Sequence, residues 1–223
     1  MVDIARHVRS LVKDVSMITG IFDQKFFKVY NYMYEPVQLV ALTECVRSVQ
    51  HVPGSFVEAG CAYGATTVFL NRLMDNINLD RVYYAIDTFS GFTEEHAQYE
   101  ISKRGKPSRL RREFTENKKS WFDRSMRMHN VERVKSVQAD IAQFDFNAIA
   151  PIAFCLVDVD LFKPIKDALP KIHAAMSPGG IIVIDDCKPD NIWDGALEAY
   201  ESYILENGLP REIKCEKLGI IRA

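Results

Sequence analysis

Two short acidic motifs carry the side chains best suited to chemistry. Leu156-Val157-Asp158-Val159-Asp160-Leu161-Phe162 ends one apolar run, and Ile184-Asp185-Asp186-Cys187 ends another. If those runs are neighbouring strands, Asp158, Asp185 and Asp186 converge at one edge of a sheet. Carboxylates that close repel one another and raise each other's pKa. A proton or a bound cation relieves the repulsion. Hard oxygen donors suit Mg2+, Mn2+ or Ca2+, and the absence of His from both motifs speaks against zinc. The competing reading is that one or two of these aspartates cap helices or pair with Lys163 and Lys188.

A second motif lies earlier, in Glu58-Ala59-Gly60-Cys61-Ala62-Tyr63-Gly64-Ala65-Thr66-Thr67. Gly60 and Gly64 permit positive φ or a close backbone approach to a ligand. The helix that follows offers free N–H groups at its start. The G-x-x-x-G spacing is neither the dinucleotide fingerprint nor a phosphate-binding P-loop. Asp87-Thr88 ends the next apolar run, where a carboxylate can hold ribose hydroxyls. The alternative is a plain strand-to-helix turn.

These motifs need elements to position them. Apolar runs at Ser55–Glu58, Val82–Asp87, Val134–Val137, Ile152–Asp158 and Ile181–Asp185 predict five strands. Helical patterns follow at Ala65–Met74, Ser120–His129, from Pro164 to just before Ser177, and Trp193–Glu206. Another helix precedes the first strand, from Pro36 to Val49. Arg211–Cys215 and Leu218–Arg222 read as a final hairpin. Strands alternating with helices imply a mainly parallel sheet covered on both faces. Ligands of such sheets bind beyond the C-terminal strand ends, which singles out Glu58, Asp87, Asp140, Asp158 and Asp185.

Composition narrows the class. The 223 residues carry 28 Lys plus Arg against 30 Asp plus Glu, a net charge of −2. That balance disfavours wholesale nucleic-acid binding. No apolar run approaches the ~20 residues of a membrane span, and the first residues lack a signal-peptide core. Five dispersed cysteines without a C-x-x-C read as core residues of a reducing compartment. The expectation is a cytoplasmic protein with no nucleic-acid partner and no membrane span, a homodimer by prior.

Together the glycine turn and strand ends resemble a class I S-adenosylmethionine (SAM) methyltransferase. The resemblance implies a Rossmann-like α/β fold, with a seven-stranded, mostly parallel sheet and a C-terminal antiparallel hairpin. It implies a SAM site over Glu58, Gly60, Cys61, Ala62, Tyr63, Gly64, Thr66, Asp87, Thr88, Asp140, Ile141 and Asp158. In it Asp87 holds the ribose, Asp140 the adenine amino group, Ile141 packs on the ring, and Glu58 meets the ligand's amino group. A nicotinamide dehydrogenase is disfavoured by the glycine spacing.

Val52–Gly60, Val157–Phe162, Ser177–Asp186 and Gly195-Ala196-x-x-Ala199 narrow this further. They resemble the macrocin O-methyltransferase family of sugar O-methyltransferases, over about residues 35 to 223. The family pattern implies a divalent metal, Mg2+ or else Mn2+ or Ca2+, on Asp158, Asp185 and Asp186. It implies Asp160 as general base; if the base lies elsewhere, Lys163 or His96 is next in line. The sequence departs from that pattern at Phe162-Lys163 and in the basic segment after Asp87. A catechol-type O-methyltransferase and a non-catalytic SAM-binding scaffold are the competing functions.

Residues 1–51 read as an N-terminal helical and aromatic cap, and 52–223 as the SAM-binding domain. In the cap, Ile4, Val8, Leu11, Val12 and Val15 share a helical face, followed by Phe22, Phe26, Phe27, Tyr30, Tyr32 and Tyr34. A lid insertion at about 88–119 carries Lys103, Arg104, Lys106, Arg109, Arg111, Arg112, Lys118 and Lys119. It is read either as a solvated face or as a surface for an anionic small-molecule acceptor, such as a nucleotide sugar or glycan precursor. Trp121 and Trp193 are expected as core anchors, and His173 as structural.

Overall fold

The computed structural model describes residues 34–189 and 192–223, together with Val8, Leu11, Val15 and Thr19. Two units are distinguished, Met1–Tyr32 and Met33–Ala223. In the first, the four described residues are helical, and Thr19 Oγ1 donates to the Val15 carbonyl at 2.7 Å. The aromatic run from Phe22 to Tyr32 lies outside the described residues. The helix Pro36–Ser48 buries Leu39, Leu42, Cys45 and Val46 in the core of the second unit.

In chain order, the second unit comprises α1 (Pro36–Ser48), β1 (Ser55–Ala59), α2 (Ala65–Asn76), β2 (Tyr83–Asp87), α3 (Glu94–Arg104) and α4 (Lys119–Met128). Next come β3 (Val134–Gln138), β4 (Ile152–Val157), α5 (Phe162–Ala175), β5 (Met176–Ile184), α6 (Gly195–Glu206), β6 (Glu212–Lys214) and β7 (Leu218–Arg222). The seven strands lie in the order β3-β2-β1-β4-β5-β7-β6. The first five are parallel. β7 runs antiparallel to both β5 and β6. The expected seven-stranded sheet and final hairpin are therefore present.

Strand alternation sends side chains to two cores. Phe56, Tyr83, Phe154, Leu156 and Val183 pack with α1, α2 and α4 on one face. Val57, Ile86, Cys155, Val157 and Ile184 pack with α5 and α6 on the other. Burial on both faces explains why these strands read as continuous apolar runs. Four of the five cysteines are buried and none is disulfide-bonded. Ser177–Gly180 lie within β5, where the register against β4 shifts.

The polar stretch after β2 contains α3. Its signals are local: Thr93 accepts from the His96 N–H, Glu94 and Glu95 open the first turn, Lys103 and Arg104 close the last, and Gly105 caps it at φ +68°. Arg104 pairs with Glu100, Asp194 and Glu198, and Lys106 with Asp194. Arg111 pairs with Glu94, and Lys119 with Asp123. Half of the expected basic lid is thus tied down by carboxylates of the protein itself. Trp121 is not a core anchor: it is 46% exposed, stacked on Tyr63 with Lys118 over its ring. Trp193 packs with Phe92 and Phe114. His173 Nδ1 shares a 2.7 Å hydrogen bond with the Tyr203 hydroxyl.

Candidate active site

The chain leaves β1 toward β2 and β3, then returns to β4, so a crevice opens between the ends of β1 and β4. Gly60 and Asp158 meet there. Asp158 N donates to the Ala59 carbonyl at 2.7 Å. A Cβ on Gly60, whose φ is +86°, would lie 1.9 Å from the Asp158 carbonyl oxygen. Only glycine allows this approach. Gly64 caps α2 in the left-handed region, against Phe122 and Met126 of α4.

The carboxylates on this side hold the chain itself. Asp87 Oδ2 accepts from the Cys61 and Ala62 N–H groups, each at 2.9 Å, and Oδ1 from Phe89 N at 2.7 Å. The strand-end aspartate expected at the ribose thus fixes the glycine turn. Thr88 Oγ1 donates to the Gly91 carbonyl. Glu58 is 1% exposed, and its Oε2 accepts from the Thr67 and Tyr83 hydroxyls at 2.6 and 2.8 Å. Burial pushes its carboxyl up to about 7. Glu58, expected at the ligand's amino group, is a brace joining β1, α2 and β2. At the end of β3, Asp140 Oδ1 accepts from Ala142 N at 2.9 Å, and its other oxygen lies 3.6 Å from His96 Nε2. Ile141 is buried. Burial lowers the pKa of His96, against the pull of Asp140.

The ends of β4 and β5 differ. Val157 pairs with Ile184, so Asp158 and Asp185 follow side by side, with Asp160 and Asp186 one step beyond. Asp160 and Asp186 both take left-handed backbones, at φ +62° and +56°. Burial first, and then the neighbouring carboxylates, hold Asp158 and Asp160 well above the usual carboxylate range. Burial likewise raises Asp185 to about 6, although Lys217 opposes it.

Two residues not anticipated from the sequence complete this edge. Tyr34 is 1% exposed, and its hydroxyl donates to Asp158 Oδ2 at 3.0 Å. Lys217 Nζ lies 3.0 Å from Asp185 Oδ2 and 3.3 Å from Asp186 Oδ1. Lys163 and Lys188 are the partners that the competing reading names. Lys163 instead binds Asp167 at 2.8 Å and Glu95 at 3.3 Å. The hydrogen bond to Asp167 raises its pKa, the wrong direction for a base.

The arrangement tests the implied metal. Lys217 already takes one oxygen each of Asp185 and Asp186, and Tyr34 takes one of Asp158. Among the described residues, no three His, Cys, Asp or Glu side chains group as a set able to hold an ion. Asp185 Oδ1 is buried without a partner, but one open oxygen is not a coordination shell. The residues as arranged do not fit a divalent ion.

The family described as macrocin O-methyltransferase (TylF) matches residues 31–217. The chain belongs to the macrocin O-methyltransferase family. A curated relative from Streptomyces olivaceus is 25% identical over 171 residues. It is described as 8-demethyl-8-(2,3-dimethoxy-alpha-L-rhamnosyl)-tetracenomycin-C 4'-O-methyltransferase. The match spans 65% of this chain and 58% of that relative. The solved O-methyltransferase NovP superimposes with a TM-score of 0.72 at 20% identity, over 86% of this chain and 81% of its own. The calicheamicin methyltransferase CalS11 gives 0.69 at 20% identity, over 90% and 82%. At such identities the structures establish a shared fold. In this macrocin O-methyltransferase family member, the strand ends Asp87, Asp140, Asp158 and Asp185 all lie within the matched span. So does Lys217, its last residue.

Proposed function

We propose that the chain is a SAM-dependent O-methyltransferase acting on a hydroxyl of a sugar or glycosylated natural product. The observation that carries this reading is the convergence of Asp158, Asp160, Asp185 and Asp186 beside the Gly60 turn, in a chain of the macrocin O-methyltransferase family. SAM, when bound, supplies a methyl group on a sulfonium.

The chain's own residues supply the rest. The first turn of α2 offers N–H groups without intrahelical partners, a fitting seat for a carboxylate. Asp87 keeps that turn in shape through the Cys61 and Ala62 amides. Thr88, Asp140 and Ile141 follow the adjacent strand ends, where the nucleoside would lie. Asp160 accepts the proton of the acceptor hydroxyl. A carboxylate raised by burial and like charge is a stronger base than one in water, and so better matched to that task. Tyr34 orients Asp158, and Lys217 fixes Asp185 and Asp186. Lys103, Arg109 and Arg112 remain exposed, and suit an anionic acceptor such as a nucleotide sugar.

The test is S-adenosylhomocysteine release from SAM over a panel of nucleotide sugars, simple glycosides and catechols. Turnover on a sugar hydroxyl is expected. Turnover on catechols alone would replace the sugar reading with a catechol-type enzyme.

A further inference from the structure

Among the described residues, the β4–β5 edge gathers four carboxylates and one ammonium. That ammonium comes from a distant part of the chain. Cys215 and Glu216, both left-handed at φ +52° and +57°, turn β6 into β7, and Lys217 N donates back to the Lys214 carbonyl. β7 then pairs with β5, with Gly219 opposite Ile184. Lys217, two residues before Gly219, therefore falls beside the aspartates that follow Ile184. Its carbonyl accepts from Cys187 N at 2.7 Å, which ties its backbone to the residue after Asp186.

Its side chain is enclosed as well. It is 16% exposed, and its partners Asp185 and Asp186 are 5% and 10% exposed. Nζ lies 5.1 Å from the centre of the Tyr34 ring, a favourable cation–π placement. The hydroxyl of that same ring donates to Asp158. One aromatic side chain thus backs the ammonium and also holds a third carboxylate. In so low a dielectric, carboxylates without a cation would drive one another apart or take up protons.

We propose that the Lys217 ammonium is the resident cation of this cluster, a positioning group that holds Asp185 and Asp186 where a divalent ion would otherwise be needed. A divalent ion and the ammonium compete for the same two oxygens, Asp185 Oδ2 and Asp186 Oδ1. Removing the ammonium opens those oxygens to metal, whereas arginine at the same position keeps a cation there. The turnover arm of the test rests on the methyltransferase reading, and the metal-binding arm does not.

The experiment uses the full chain stripped with EDTA and then titrated with Mn2+ alone, with free Mn2+ read by electron paramagnetic resonance. Wild type, Lys217→Met and Lys217→Arg are compared. Lys217→Met should bind Mn2+ about tenfold more tightly than wild type, and Lys217→Arg should stay near wild type. A lysine that merely supported the fold would lower thermal stability in Lys217→Met without raising Mn2+ affinity, and that result overturns the proposal. If Lys217→Met does not fold, wild type decides: a tight Mn2+ site in wild type that Asp185→Asn abolishes is the overturning result, and its absence the supporting one. In the second arm, wild-type turnover should be the same with Mg2+ and with EDTA, and turnover lost in EDTA and restored by Mg2+ overturns the proposal. Failure of the methyltransferase reading appears as silence across the acceptor panel, and leaves the Mn2+ comparison to decide this one.

Discussion

Two neighbouring parts of the sheet's C-terminal rim handle carboxylates differently. At β1 and β2, Asp87 accepts three backbone N–H groups and Glu58 two hydroxyls. Among the described residues, four aspartates at β4 and β5 face one another across the Lys217 ammonium and the Tyr34 phenol. Fixed donors turn a carboxylate into a brace that shapes the backbone. Like charge and burial leave a carboxylate proton-hungry, the condition for a base. On the proposed function, the Asp87 contacts shape the SAM seat and Asp160 takes up the proton.

The sharpest way to break that contrast is Asp160→Asn. Asparagine tolerates the left-handed backbone at this position and removes one of the mutually repelling charges. Turnover should fall about 10²–10⁴-fold, with SAM affinity unchanged and thermal stability equal or higher. A parallel fall of stability and rate, measured by thermal melting beside S-adenosylhomocysteine release, would make Asp160 a brace like Asp87.

Asp87→Ala tests the other edge. It leaves the Cys61, Ala62 and Phe89 N–H groups without their acceptor, a loss of roughly 3 kcal/mol of stability. SAM affinity, read by calorimetry, should weaken with it. A variant as stable as wild type by urea denaturation would show that the glycine turn holds without its aspartate.

Much of this contrast was legible in the sequence. The apolar runs predicted the strands, the hairpin was expected, and the two acidic motifs do end neighbouring strands. Their partners were harder to find. Tyr34 lies 124 residues from Asp158 and belonged to an aromatic run with no motif of its own. Lys217 did leave a signal. Once the hairpin is set antiparallel on the fifth strand, register alone brings Lys217 beside Asp186. The basic segment conceals a helix. Thr93, two acidic residues, two basic residues and Gly105 spell a helix, and a helix docked on Asp194 and Glu198 satisfies Arg104 inside the protein. Trp121 misled because composition does not show which face of a ten-residue helix turns outward.

The pH dependence of stability sharpens the comparison through Glu58. Its carboxyl titrates near 4.5 when unfolded and at about 7 when folded. Between those values the folded state holds a proton that the unfolded state has lost, so stability falls as pH rises from about 4.5 to 7. The span corresponds to at most ~3 kcal/mol. Glu58→Gln keeps an acceptor for Thr67 and Tyr83 but does not titrate. Its stability should fall less steeply over that window, by about 2 kcal/mol in urea titrations at the two ends. Asp185, raised to about 6, keeps part of the slope in both proteins. Identical slopes would place the titration entirely at the β4–β5 edge.

The smallest expected effect falls on the residue that joins phenol and ammonium. Tyr34→Phe keeps the ring beneath Lys217 and removes only the hydroxyl that donates to Asp158. One hydrogen bond to a charged group is worth about 1.5 kcal/mol, so turnover should fall about tenfold or less. Its distribution matters more than its size. Asp158 lies at the junction, because its N–H holds the β1 end while its carboxylate faces the β5 aspartates. If it serves the reacting edge, kcat falls and the KM for SAM stays as in wild type. A raised KM for SAM at constant kcat would instead assign Asp158 to the ligand seat, and move the boundary between the two edges from β1/β4 to β4/β5.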